Sequence, residues 1–101
     1  MRVFALPLFY RADPLDVHQN VVAVRIFRLA HGHACVVSWP LPEPGLRAFS
    51  PSISEPETMR VALPYAQFLL QHTGAARVMV ELDDDVEWQD SWGVLVEPVS
   101  P

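Results

Sequence analysis

The stretch 54–74, SEPETMRVALPYAQFLLQHTG, opens on a helix-start signature and closes on a helix stop. Ser54 with Glu57 three positions on has the form of a capping box, and Pro56 is tolerated in a first helical turn. Gly74 follows Thr73 as a natural terminator. Steps of 100° per residue place Phe68, Val61, Tyr65, Leu69, Ala62, Ala66, Met59, Leu70 and Leu63 on one continuous arc of roughly 220°. Arg60, Pro64, Gln67 and Gln71 fill the remainder. A helix covered on one side needs an apolar stripe of only roughly 100°. The excess predicts a helix shielded on two sides, by the proline-rich loop that precedes it or by a second subunit. In a homodimer, Val61, Tyr65 and Phe68 are the candidate interface. Pro64 opposes a continuous helix, because its ring clashes with the Arg60 carbonyl and one hydrogen bond is lost. It falls on the polar side, where a kink is best tolerated. The competing reading is a strand over 59–63 and a short helix from Pro64. The complete cap favours the kinked helix.

On both sides of this segment the pattern is that of strands. Residues 3–10 alternate, with Phe4, Leu6, Leu8 and Tyr10 on one side and Val3, Ala5 and Phe9 on the other. Both sides are apolar, which suits a central or doubly covered strand, while Pro7 argues for an edge or bulge. Asp13-Pro14-Leu15-Asp16 reads as a turn. Residues 21–30, VVAVRIFRLA, and 34–39 form a hairpin around His31-Gly32-His33, with Gly32 supplying the positive φ. Residues 40–56 contain Pro40, Pro42, Pro44, Pro51 and Pro56 and read as an ordered, semi-rigid loop. After the helix, 77–82 alternates as a half-buried strand, Asp83-Asp84-Asp85 turns, and 92–99 returns as the last strand of a C-terminal hairpin. The expected fold is α+β in one domain, 1–101. An antiparallel sheet of about five strands, in the order β-β-β-α-β-β, carries one main helix on a face.

The chain has 101 residues, enough for one compact domain. Half of its residues are hydrophobic and 19% are charged, which excludes disordered, collagen-like and coiled-coil classes. Its net charge is −5, from 7 basic and 12 acidic residues. A net acidic chain repels phosphate, so direct nucleic-acid binding is not expected. The charge is uneven. Residues 1–50 hold five Arg against Asp13, Asp16 and Glu43, whereas 51–101 hold Arg60 and Arg77 against nine acids. That split points to a partner with a basic surface, or to complementarity between subunits. All the basic residues are Arg, beside abundant Ala, Val and Pro, as in chains from GC-rich bacterial genomes. A single cysteine, Cys35, allows no intramolecular disulfide and suits a reducing compartment. The apolar run 3–10 is short and lacks a small-x-small cleavage site. No apolar run reaches the eighteen or so residues of a membrane span. A cytoplasmic protein without membrane contact is expected.

Three constellations could carry chemistry. His31, His33 and Cys35 alternate, and imidazole and thiolate both suit zinc. Gly32 at a reversal spoils that alternation, so a hairpin turn with a buried Cys is the simpler reading. A Cys–His nucleophile drawn from the same residues lacks an orienting third group. Glu81, Asp83, Asp84, Asp85, Glu87 and Asp90 put six acids in ten residues. Counted from Asp83, the calcium-loop positions six and twelve are Trp88 and Val94, so that motif fails. Trp88 and Trp92 lie within the acidic stretch, and aromatics beside carboxylates can hold arginine side chains. The structural alternative is that both cap the hydrophobic edge of the sheet. Glycine-rich phosphate loops and a Gly-x-Ser-x-Gly elbow are missing from the sequence, and no cofactor is called for.

These readings converge on a small acidic, non-catalytic protein acting by protein–protein interaction as a homodimer. Its interaction residues are Glu81, Asp83, Asp84, Asp85, Glu87, Trp88, Asp90 and Trp92. One alternative is an acidic, phage-type inhibitor of a nucleic-acid-binding enzyme. Another is a small-molecule-binding protein or enzyme, with a pocket between helix and sheet at Trp39, Tyr65, Phe68 and His72.

Overall fold

The structure is a computed structural model that describes residues 8–11, 20–30, 32–43, 46–50, 53–54 and 58–97. Strands β1 (Leu8–Arg11), β2 (Val22–Leu29), β3 (Gly32–Pro40), β4 (Arg47–Phe49) and β5 (Ile53–Ser54) precede helix α1 (Thr58–Thr73). Strand β6 (Val78–Leu82), a single 3-10 turn (Asp90–Trp92) and β7 (Val94–Val96) follow. The protein is α+β, with one helix packed on a mixed sheet. Six strands run in the order β4-β3-β2-β6-β1-β7, and β5 pairs with β3 beside that path.

The sheet departs from the antiparallel, five-strand expectation in three ways. First, the C-terminal hairpin does not form: β1 lies between β6 and β7 and runs parallel to both. Alternation reports which side chains are buried, not the direction of the neighbouring strand, so a local pattern could not separate the two pairings. Second, β6 is also parallel to β2, with Val22 opposite Val78 and Val24 opposite Val80. Val78, Met79 and Val80 are all buried, so both faces of β6 are covered there. Third, the proline-rich stretch is not loop throughout. It contributes β4 and β5, both antiparallel to β3. Arg47 fastens β4 to its neighbours by donating to the Val21 carbonyl at 2.8 Å and to Ser38 Oγ at 3.1 Å.

The β2–β3 hairpin forms, but with a tighter reversal. Leu29 pairs with Gly32, so Gly32 is the first residue of β3 rather than the apex, although it keeps a positive φ of 139°. The first strand, the 13–16 turn and His31 fall wholly or partly outside the described residues; of 3–10, only 8–10 are seen, in β1.

Helix α1 is continuous through Pro64, which is exposed. The lost bond at Arg60 therefore sits on the solvent side, where the carbonyl is open to hydration. Ser54 is not the cap: it pairs with Ala34 in β5, and the helix starts at Thr58. Residues 55–57 lie outside the described set. Gly74 ends the helix as expected, with φ 69° in the left-handed region. Ala62, Leu63, Ala66 and Leu69 face the sheet and join Phe9, Val22, Val24, Ile26, Cys35, Val37, Val78, Val80 and Val86 in one core.

Candidate functional site

The helix is not fully covered by the described residues. Val61 is 46% exposed and Phe68 51% exposed, with half-buried Tyr65 between them on the same stripe. These positions are spaced i, i+4, i+7 and so share one side of the helix. Their rings are ordered. Tyr65 meets Trp39 edge-to-face at 5.9 Å and stacks with Phe68 at 6.4 Å, and Phe68 stacks on His72 at 3.9 Å. The His72 ring is further held by its Nδ1, 3.1 Å from the Phe68 carbonyl. The three candidate interface residues thus form one patch, continuous with Trp39 on β3. Of the residues suggested for a helix–sheet pocket, Trp39, Tyr65, Phe68 and His72 do meet, but as a packed row of rings.

The acidic segment divides in two. Asp84, Asp85, Glu87 and Asp90 are exposed. Asp83 instead accepts a hydrogen bond from Arg25 Nε at 3.3 Å, and its backbone N–H continues the β2–β6 ladder just past the end of β6 by donating to the Ile26 carbonyl at 3.1 Å. A polar cleft of about 520 Å³ separates the β2–β3 turn from this segment, with Arg28, His33, Asp84, Asp85, Glu87 and Trp88 among its walls. Arg25 and Arg28 of the basic half therefore lie beside the acids of the other half within one chain.

The two tryptophans do not stand together as an outward platform. Trp88 packs on fully buried Phe9 at 5.3 Å and donates its indole N–H to the Gly93 carbonyl at 3.1 Å. Trp92 meets Trp88 edge-to-face at 5.2 Å and His33 edge-to-face at 5.6 Å. Four rings thus run from the core toward the surface. Both indoles are half-buried and pack against the core, and Trp88 is further held by its hydrogen bond.

Cys35 is fully buried against the core, and burial pushes its thiol up to about 11. A thiol held in its neutral form is a poor nucleophile and a poor zinc ligand. His33 lies on the same side of β3 two residues away, its ring against Trp92. Among the described residues, no group of three or more His, Cys, Asp or Glu side chains is placed to hold a metal ion. His31, the third member of that constellation, lies outside the described residues.

One feature was missed in the sequence. A groove of about 830 Å³ runs between α1 and the Asp90–Trp92 turn. Phe9, Leu63 and Trp92 line it, with Arg60, Gln71 and Ser91 on its walls. The polar side of the helical wheel, at Arg60, Gln67 and Gln71, was visible in the sequence. That the Asp90–Trp92 turn faces it was not, because the turn is brought there by β1 entering between β6 and β7.

No family model, no curated protein and no solved structure matches this chain. Among the described residues, no helix is long and apolar enough to cross a membrane.

Proposed function

We propose that the protein acts by binding another protein, and first of all a second copy of itself, rather than by catalysis. The reading is carried by one observation: Val61 and Phe68 leave about half of their surface in water on a helix whose Ala62, Leu63, Ala66 and Leu69 are buried against the sheet. Scattered exposed apolar residues need no explanation, but an ordered patch continuous with Tyr65 and Trp39 is the kind of surface that association buries. The aromatic rows at its centre are already in place, so ordering them on contact costs little. Light scattering tests this directly. A mass of twice the 11.4 kDa chain, reduced to one chain mass by Phe68→Glu, supports it. A wild-type mass of one chain at all accessible concentrations removes the homodimer.

A second reading keeps a partner with a basic surface, in the manner of an acidic inhibitor of a nucleic-acid-binding enzyme. The cleft walled by Asp84, Asp85, Glu87 and Trp88 favours it, since its three carboxylates outnumber Arg28 on the same walls and an entering arginine side chain would meet carboxylates and an indole together. Replacement of Asp84 and Asp85 by Arg should abolish capture of such a partner while leaving the fold intact.

A further inference from the structure

We propose that the groove between α1 and the Asp90–Trp92 turn binds a small monocarboxylate with a flat apolar body, its carboxylate facing Arg60. The proposal extends beyond the interaction surface: Phe68 is shared by the two, but Val61 and Tyr65 do not line this groove. Its volume of about 830 Å³ lies within the range of small-molecule sites. The walls are of the mixed kind such sites use, an apolar floor with a few polar groups to orient the ligand.

The charge pattern selects the ligand class. Arg60 is the one cation among the described lining residues, and no acid among them opposes it. Arg60 is exposed and has no ion-pair partner among the described residues. A guanidinium that no described acid opposes matches one carboxylate, which it can hold through two parallel N–H donors. A phosphate dianion would be left half neutralised. Gln71 and Ser91 supply further neutral donors on the walls.

The aromatic walls select the body of the ligand. Phe68 and Trp92 both line the groove, above the buried ring of Phe9. Trp92 is held edge-to-face by Trp88, and Trp88 is fixed in turn by its hydrogen bond to Gly93. The Trp92 side of the groove is therefore in place before a ligand arrives, and a flat ring can stack on it without reordering it.

The test is a titration of the ¹⁵N-labelled full chain with 2-naphthoate, with 2-naphthylmethanol as neutral twin and decanoate as flexible acid. Saturable shifts of the Trp92 indole and Gln71 amide signals are expected, with a Kd of about 1 mM or tighter. The alcohol should bind roughly five-fold more weakly, and Arg60→Gln should weaken the acid by the same factor without changing the alcohol. Gln71→Trp, an exposed position, should fill the groove and block both. Equal binding of acid and alcohol, indifference of the acid to Arg60→Gln, or shifts that map away from the groove would each overturn the proposal. So would the lack of any saturable shift with 2-naphthoate. Tighter binding of decanoate than of 2-naphthoate would overturn the flat-body assignment.

Discussion

Arg25 on β2 and Asp83 just after β6 meet at 3.3 Å, joining the basic half of the sequence to the acidic half inside one chain. Their strands are parallel neighbours, and Arg25 stands opposite Glu81 in the register. The Arg25 side chain is 59% exposed, so water and salt weaken the pair. A double-mutant cycle with Arg25→Gln and Asp83→Asn should return a coupling below about 1 kcal/mol, falling toward zero in 1 M salt. A coupling that survives high salt would mean that the pair is far less hydrated than its exposure indicates.

The exposed patch on α1 should be nearly neutral for folding of the single chain. Val61→Gln and Phe68→Gln should each change unfolding free energy by less than about 1 kcal/mol in denaturant titrations of dilute protein. Leu63→Ala, on the covered side, should cost about 2–4 kcal/mol, because it opens a cavity between helix and sheet. If Phe68→Gln costs as much as Leu63→Ala, the ring is supporting the fold rather than waiting for a partner.

Pro64 interrupts the hydrogen bonding of a helix that is otherwise continuous, and it does so on the exposed side. Pro64→Ala restores the bond to the Arg60 carbonyl and removes the ring clash. It should raise stability by roughly 1–3 kcal/mol, read from the shift of the denaturation midpoint. At the end of the same helix, Gly74 has φ 69° and open space around it. Gly74→Ala should therefore cost about 1 kcal/mol through backbone strain alone.

Cys35 predicts a loss of stability at high pH. Burial raises the thiol to about 11, so the folded state holds its proton more tightly than the unfolded chain does. The resulting stability is fully present below the unfolded value of 9.0, and is lost as pH rises from there through the folded value. The loss should be on the order of 2–3 kcal/mol, and Cys35→Ala should remove this part of the pH dependence. Alkylation of the native protein at neutral pH should be slow and limited by unfolding. Rapid labelling would contradict the burial of the thiol.

Trp88 should matter more to the fold than Trp92. Trp88→Phe keeps the contact with Phe9 but leaves the Gly93 carbonyl without its indole donor, and should cost about 1–2 kcal/mol by chemical denaturation. Trp92→Phe loses no hydrogen bond seen in the structure and should cost less. The reverse order would place Trp92, not Trp88, at the centre of the cluster.

Local chemistry in the sequence was enough for the elements themselves. The 3.6-residue period of 58–73 makes a helix, and Gly74 stops it because glycine alone enters the left-handed region freely. The sequence pattern marks strands at 21–30, 34–39 and 77–82, which the structure has as 22–29, 32–40 and 78–82, and the apolar excess on α1 was legible in the arc that ends at Val61 and Phe68. What tertiary structure alone decided was the company these elements keep. Strand direction, the entry of β1 between β6 and β7, and the recruitment of β4 and β5 from a proline-rich stretch depend on contacts between residues far apart in the chain. The groove beside Arg60 arises the same way, since neither of its walls carries any local trace of the other. Periodicity records which side of an element is buried. Only the packed chain determines what buries it, because main-chain hydrogen bonding between strands is nearly indifferent to the side chains that flank it.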